Sequence, residues 1–127
     1  MSNIKQAIIK TKEKTFFKHW LTLTEPLHKL NKKEIEVLSL FMFYYFEFKK
    51  EIANEELCWK LTFDHDIKLK ILNELNLSSD QILQNILTGL RKKQIIINNK
   101  INISFIPQID LKKSNTFSLI YKFEIND

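Results

Sequence analysis

Residues 78–106 read SSDQILQNILTGLRKKQIIINNKINISFI. The first half of this stretch predicts an amphipathic helix, because its apolar side chains recur at spacings of three and four. These side chains are Ile82, Leu83, Ile86, Leu87 and Leu90. Ser78 and Gln81 form a Ser-x-x-Gln capping box, so we expect the helix to begin there and to run to about Lys93.

A β-hairpin is predicted directly after this helix. Residues 95–97 are all isoleucine, and residues 100–106 alternate apolar and polar side chains up to Pro107. Between them, Asn98 and Asn99 suit the two positive-φ positions of a tight turn. The stretch therefore predicts a helix that leads at once into a hairpin, which is the position of a wing.

A long central helix is predicted upstream. Asn31 with Glu34 three residues later is an Asn-x-x-Glu variant of the capping box, and a helix should run from it to about Lys50. Its apolar side chains lie on most sides, so we expect other elements to contact it all round. A short connecting helix is predicted over residues 55–61.

A further helix completes a helix-turn-helix. Asp64 or Asp66 is expected to cap it, and Asn76 suits its end because asparagine tolerates the left-handed conformation. Only a short turn then separates it from the helix that begins near Ser78. Two helices joined in this way, followed by a hairpin, predict a winged helix-turn-helix.

The two ends of the chain extend this core. Residues 1–30 are expected to form a basic arm and a helical extension that contains an apolar cluster over residues 16–23. Residues 116–125 alternate strictly and predict a last strand that joins the wing sheet. The predicted fold is thus α+β, with a three-helix core, a hairpin wing, an N-terminal helical extension and a C-terminal strand. Residues 31–127 form its winged-helix domain.

The segments over residues 30–38 and 78–96 resemble the winged helix-turn-helix superfamily. The glycine usual at the exit of the second segment is Gln94 here. The whole chain is similar to small winged-helix proteins of large AT-rich tailed phages, including the crAss-like group, through residues 91–103 and 105–107. The resemblance implies a phage-type regulator of transcription or replication that binds double-stranded, AT-rich DNA in the host cytoplasm.

In that superfamily the helix over residues 78–93 is the recognition helix. Gln84 and Asn85 are suited to paired hydrogen bonds with adenine, and Thr88 to a thymine methyl group. Cationic side chains at the helix exit and on the wing are expected at phosphates. The predicted DNA-binding set is Gln81, Gln84, Asn85, Thr88, Arg91, Lys92, Lys93, Asn98, Asn99 and Lys100. The alternative is that these side chains form an ordinary solvated face.

Charge is unevenly distributed along the chain, whose net charge is +5. Residues 1–33 carry eight lysines against two glutamates, residues 34–77 five lysines against nine acids, and residues 78–127 seven basic side chains against four acids. Two basic ends suit phosphate binding. Arg91 is the sole arginine, and lysine, the other basic side chain, is better suited to contacts with DNA phosphates than to paired hydrogen bonds with bases. No apolar run is long enough to span a membrane, and the single cysteine, Cys58, excludes an intrachain disulfide and fits a cytosolic protein.

Enzymatic chemistry is not expected. The one glycine, Gly89, excludes a glycine-rich phosphate loop, and no metal or cofactor is predicted. Three histidines (His19, His28 and His65) have no ligand spacing to Cys58. The acids around His65 fit a helix N-terminus, and Cys58 fits a buried apolar position. The alternative to DNA binding is a protein-interaction or virion structural module. The basic arm over residues 1–14 and the cluster over residues 16–23 would serve either function, as a DNA arm or as a contact with a second copy or other phage proteins.

Overall fold

The computed structural model of the chain describes residues 6–110, 113 and 115–126. Within these ranges the architecture is α+β and mostly helical, with six α-helices before one two-stranded antiparallel hairpin. None of these helices is both long and apolar enough to cross a membrane. In chain order the elements are α1 (Glu13–Leu23), α2 (Glu25–His28), α3 (Lys32–Glu51), α4 (Glu55–Thr62), α5 (His65–Glu74), α6 (Asp80–Lys92), β1 (Ile96–Ile97), β2 (Lys100–Ile101) and a 3-10 turn (Ile103–Phe105).

Helix α3 lies at the centre and packs against α1, α4, α5 and α6, which confirms the prediction of a helix contacted all round. It begins with the predicted capping box. The Asn31 side chain accepts from the Glu34 N–H at 2.9 Å, and the Glu34 carboxylate accepts from the Asn31 N–H at 3.0 Å. The buried side chains of α3 include Val37, Leu38, Phe41, Met42, Tyr45 and Phe46. Each large one contributes about 1.5–3 kcal/mol through burial.

Helix α1 packs its apolar face into the same core. Phe17 and Leu21 are fully buried, and the Phe17 ring lies 5.0 Å from that of Phe46 on α3. The first five residues of the predicted basic arm lie outside the described residues, and residues 6–12 are exposed and not helical. Trp20 donates its indole N–H to the Phe105 carbonyl at 2.8 Å, so α1 also holds the segment that follows the hairpin.

The hairpin is shorter than predicted. Its register pairs Ile96 with Ile101, and the second strand ends there instead of continuing to residue 106. The Asn102 side chain accepts from the Ser104 N–H at 3.1 Å and so begins a 3-10 turn. Such a local side-chain bond competes with a strand ladder, which explains why an alternating sequence does not extend the strand.

The predicted C-terminal strand is absent, since the described residues between 115 and 126 form neither helix nor strand. Phe117 packs instead against the N-terminal helix, with its ring 5.6 Å from the rings of Phe16 and Trp20. A hairpin with two residues in each strand offers too short a ladder to hold a third strand by itself. The sheet of the described residues is therefore two-stranded.

Candidate nucleic-acid interface

A tight turn joins α5 to α6. Of the two predicted N-caps of α5, Asp64 and Asp66, the structure has Asp64. Its side chain accepts from the His65 N–H at 2.8 Å. The helix ends at Glu74, and Asn76, two residues later, has the left-handed conformation predicted for the turn, with a φ of 51°. The Leu77 N–H then donates to the Leu72 carbonyl at 3.0 Å, which completes a Schellman motif. The turn from α5 into α6 is thus fixed by backbone hydrogen bonds.

The start of α6 differs from the prediction. Ser79, one residue later than Ser78, is the N-cap, and no side-chain bond caps the helix. Gln81 consequently lies at the second helical position, one residue too early to reach back to the N-cap as a capping box requires. Its amide instead donates to the Asn85 side-chain oxygen at 2.8 Å. The predicted Ser-x-x-Gln capping box is therefore wrong.

The outer face of α6 is polar along its length. Leu83, Leu87 and Leu90 are fully buried on the opposite face. The outer face carries Gln81, Gln84, Asn85, Thr88, Arg91 and Lys92, of which all but the half-buried Gln84 are exposed. Two of its groups already have partners within the helix, because Thr88 donates to the Gln84 carbonyl at 2.9 Å and Gln81 donates to Asn85. The structure thus brings the predicted helix residues together on one surface.

A second Schellman motif connects α6 to the hairpin. Gln94 has a φ of 60°, in the left-handed region where glycine is usual, and the Ile95 N–H donates to the Leu90 carbonyl at 3.0 Å. The Asn102 amide donates to the Gln94 carbonyl at 3.2 Å, which ties the far side of the hairpin to this exit. At the hairpin tip Asn98 and Asn99 both have positive φ, as predicted, and both are exposed.

The four predicted cations have different environments. Arg91 and Lys92 are exposed and, among the described residues, have no ion-pair partner. Lys93 lies 2.6 Å from the Glu34 carboxylate on α3, and Lys100 pairs with Glu56 on α4. The sequence analysis did not predict either ion pair, because Glu34 lies 59 residues before Lys93 and Glu56 lies 44 residues before Lys100 in the chain.

Glu34 is the buried centre of this contact between α3 and α6. Its side chain is 6% exposed, and one oxygen accepts from both Asn31 and Lys93. A Cβ atom built on Gly89 would lie 3.0 Å from the other oxygen. Glycine at this position therefore lets α6 approach the carboxylate closely, which gives a packing reason for the one glycine of the chain.

A cleft of about 470 Å³ lies between the hairpin and the helices α3 and α4. The Tyr45 and Trp59 rings stack 3.7 Å apart in its wall, but both are nearly buried and offer no free face for a nucleobase. Burial, together with the hydrogen bond to Glu55, raises the pKa of the Tyr45 hydroxyl well above its usual value. The cleft is thus mainly a packing feature beside the hairpin.

Two of the candidate reactive side chains, Cys58 and His28, are buried, whereas His19 and His65 are exposed. Cys58 is fully buried, as predicted, and burial raises the pKa of its thiol, which disfavours the nucleophilic thiolate. His28 is buried between the Leu21 carbonyl, 2.7 Å from its Nε2, and the Leu30 N–H, which donates to its Nδ1 at 3.0 Å. Within the described ranges, no group of three or more His, Cys, Asp or Glu side chains is arranged to hold a metal ion.

Comparisons with protein-family models, with curated proteins and with solved structures found no match for this chain. The function proposed for it therefore depends on the geometry and the charge of α6 and of the hairpin.

Proposed function

We propose that the chain is a non-enzymatic, DNA-binding winged-helix protein that regulates transcription or replication in a phage-type system. Helices α3, α5 and α6 are its three-helix core, and β1 and β2 are its wing. The observation that carries the proposal is that Arg91 and Lys92, at the end of the exposed polar face of α6, have no ion-pair partner in the described part of the chain. This face leads through the Gln94 turn into an exposed hairpin tip.

The dimensions of α6 suit the major groove. Its 13 residues make a rod of about 20 Å, and an α-helix fits a groove about 12 Å wide. The amides of Gln84 and Asn85 lie in the first half of the helix, where the recognition helix of a helix-turn-helix contacts base edges. Arg91 and Lys92 lie in the last turn, within reach of a phosphate strand.

The number of cationic side chains at the end of α6 that can bind phosphate predicts how strongly salt weakens DNA binding. Two phosphate contacts, from Arg91 and Lys92, give a slope of log K against log salt of about −1.8 on duplex DNA. We expect this slope in fluorescence anisotropy titrations of an AT-rich duplex at several salt concentrations. The double variant Arg91→Ala/Lys92→Ala should lose most of the affinity and flatten the slope, whereas the control Lys18→Ala/Lys60→Ala on α1 and α4 should retain both.

Base reading is tested separately from phosphate binding. Asn85→Ala removes one amide from the face of α6 without changing the charge. If Asn85 contacts adenine, its loss should reduce the preference for AT-rich over GC-rich duplex by about 1–3 kcal/mol and leave the salt slope unchanged. Absence of any binding at low salt would overturn the DNA proposal as a whole.

The alternative proposal is a protein-interaction or virion structural module on the same scaffold. It is favoured by the intramolecular partners of the predicted site, since Gln81 bonds to Asn85, and Lys93 and Lys100 pair with acids. The two proposals differ in their response to salt. A protein-binding module should show no salt-dependent affinity for duplex, and Arg91→Ala/Lys92→Ala should leave its partner binding largely unchanged.

A further inference from the structure

The C-terminal residues 117–125 read FSLIYKFEI and alternate as a strand does. One face carries Phe117, Leu119, Tyr121, Phe123 and Ile125. Within the described part of the chain, residues 118–126 belong to no helix or strand and make no hydrogen bond. The Phe117 ring packs against α1, and Leu119 and Tyr121 are 38% and 49% exposed. The segment is thus a strand-like sequence to which no strand of the described residues is paired.

The exposure of this segment is unusual for its composition. Ile120, Phe123 and Ile125 are each 87–88% exposed, although such side chains are normally buried. Aromatic and β-branched residues in alternation favour a pleated strand, and a strand with free N–H and C=O groups is a template for pairing with another chain. The hairpin of the same chain does not supply the pairing, because β2 ends at Ile101.

We propose that this segment pairs with the same segment of a second copy, as an antiparallel two-stranded contact centred on Phe123. The two strands run in opposite directions, so a residue one position before Phe123 in one chain faces the residue one position after it in the other. This centre therefore places Lys122 of each chain opposite Glu124 of the other. Tyr121 then lies opposite Ile125, so the apolar side chains at positions 121, 123 and 125 face one another across the two strands. Opposite charges directly across a pair of strands favour the pairing.

Charge complementarity distinguishes this register from its competitors. A centre on Lys122 or on Glu124 would place that charged side chain opposite its own copy, which is unfavourable. A centre on Tyr121 would place Lys122 opposite Ile120 and Glu124 opposite Ser118, which leaves both charges unpaired. The occupant is thus a second copy of this chain. This inference does not depend on DNA binding, since it involves neither α6 nor the hairpin.

Charge reversal tests the register in solution. We expect the wild-type chain to show a concentration-dependent monomer–dimer equilibrium in sedimentation experiments. Lys122→Glu and Glu124→Lys each bring like charges together in both symmetric pairs, and each should weaken dimerisation roughly tenfold. An equimolar mixture of the two variants should restore it, because two carboxylates of one chain then face two ammonium groups of the other. The control Lys10→Glu changes the net charge as Lys122→Glu does and should have no effect.

Disulfide trapping tests the centre of the contact. In the proposed register Phe123 lies opposite itself, with Cβ atoms about 5 Å apart, so Phe123→Cys should form a crosslinked dimer on mild oxidation. Tyr121→Cys should not, because its two copies are offset by four residues. Buried Cys58 does not compete with either introduced thiol. A chain that stays monomeric at about 0.2 mM, efficient crosslinking through Tyr121→Cys, or failure of the mixture to restore dimers would each overturn the proposal.

Discussion

Replacing Gly89 with alanine should destabilise the protein, although the same change in an ordinary helix stabilises it. Alanine in a helix interior is favoured over glycine by about 1 kcal/mol. At Gly89, however, the new Cβ would lie 3.0 Å from a Glu34 oxygen, so the carboxylate must move. That carboxylate is held by Lys93 at 2.6 Å and by the Asn31 N–H at 3.0 Å. Loosening one such charge-assisted bond costs about 2 kcal/mol, so we expect a net loss of about 1 kcal/mol.

A double-mutant cycle isolates this effect. In the Glu34→Ala background the obstruction is gone, and Gly89→Ala should then stabilise by up to about 1 kcal/mol, which gives a coupling of about 2 kcal/mol. Urea unfolding followed by tryptophan fluorescence measures all four free energies of unfolding. Thr88→Ala, at the exposed neighbouring position, should have the same effect in both backgrounds. Equal stabilisation by Gly89→Ala with and without Glu34 would refute the close approach of α6 to the carboxylate.

Three further predictions concern backbone strain and pH. Gln94→Gly should stabilise the protein by about 0.5–1 kcal/mol in urea unfolding because φ is 60° there, whereas Gln94→Ala should not. Burial raises the pKa of the Glu74 carboxyl, but the hydrogen bonds from Lys14 and Tyr44 outweigh it and hold the pKa below its ordinary value. The stability that Glu74 contributes is therefore present above the unfolded-state pKa and lost as the pH falls through the folded-state pKa, so the free energies of unfolding of wild type and Glu74→Gln should converge on acidification. Conversely, the raised pKa of Tyr45 gives stability that is lost as the pH rises above about 10, and Tyr45→Phe should flatten this alkaline decline.

Local signals in the sequence predicted several features of the fold correctly. The Asn31 and Glu34 box, the left-handed Asn76 and the Asn98-Asn99 turn depend on bonds or torsions within a few residues. Such features are determined by the chemistry of the residues themselves, so a single sequence suffices to find them. The central position of α3 was equally predictable, because a helix that is apolar on most sides must be covered on most sides.

The errors arose where short-range and long-range interactions compete. The alternation over residues 116–125 predicts a strand, but a strand forms only with a partner ladder, and Phe117 packs on α1 instead. The second wing strand ended early because the Asn102 side chain begins a turn. The acids that pair with Lys93 and Lys100 lie on other helices, and no local pattern connects such distant positions.

The two ion pairs of the candidate interface, Lys100 with Glu56 and Lys93 with Glu34, differ in how much folding stability is lost when the lysine leaves its partner. Lys100 and Glu56 are both exposed, at 42% and 75% of their side chains, and such a pair contributes about 0–1 kcal/mol. A DNA phosphate therefore competes for Lys100 with little loss to the fold. Glu34 is buried, and removing Lys93 from it would leave an uncompensated carboxylate in the interior at a cost of several kcal/mol. Under the DNA proposal the contacts of Arg91 and Lys92 thus set a minimum salt slope of about −1.8, and a third contact from Lys100 brings it to about −2.7, while Lys93 remains a link between α6 and α3.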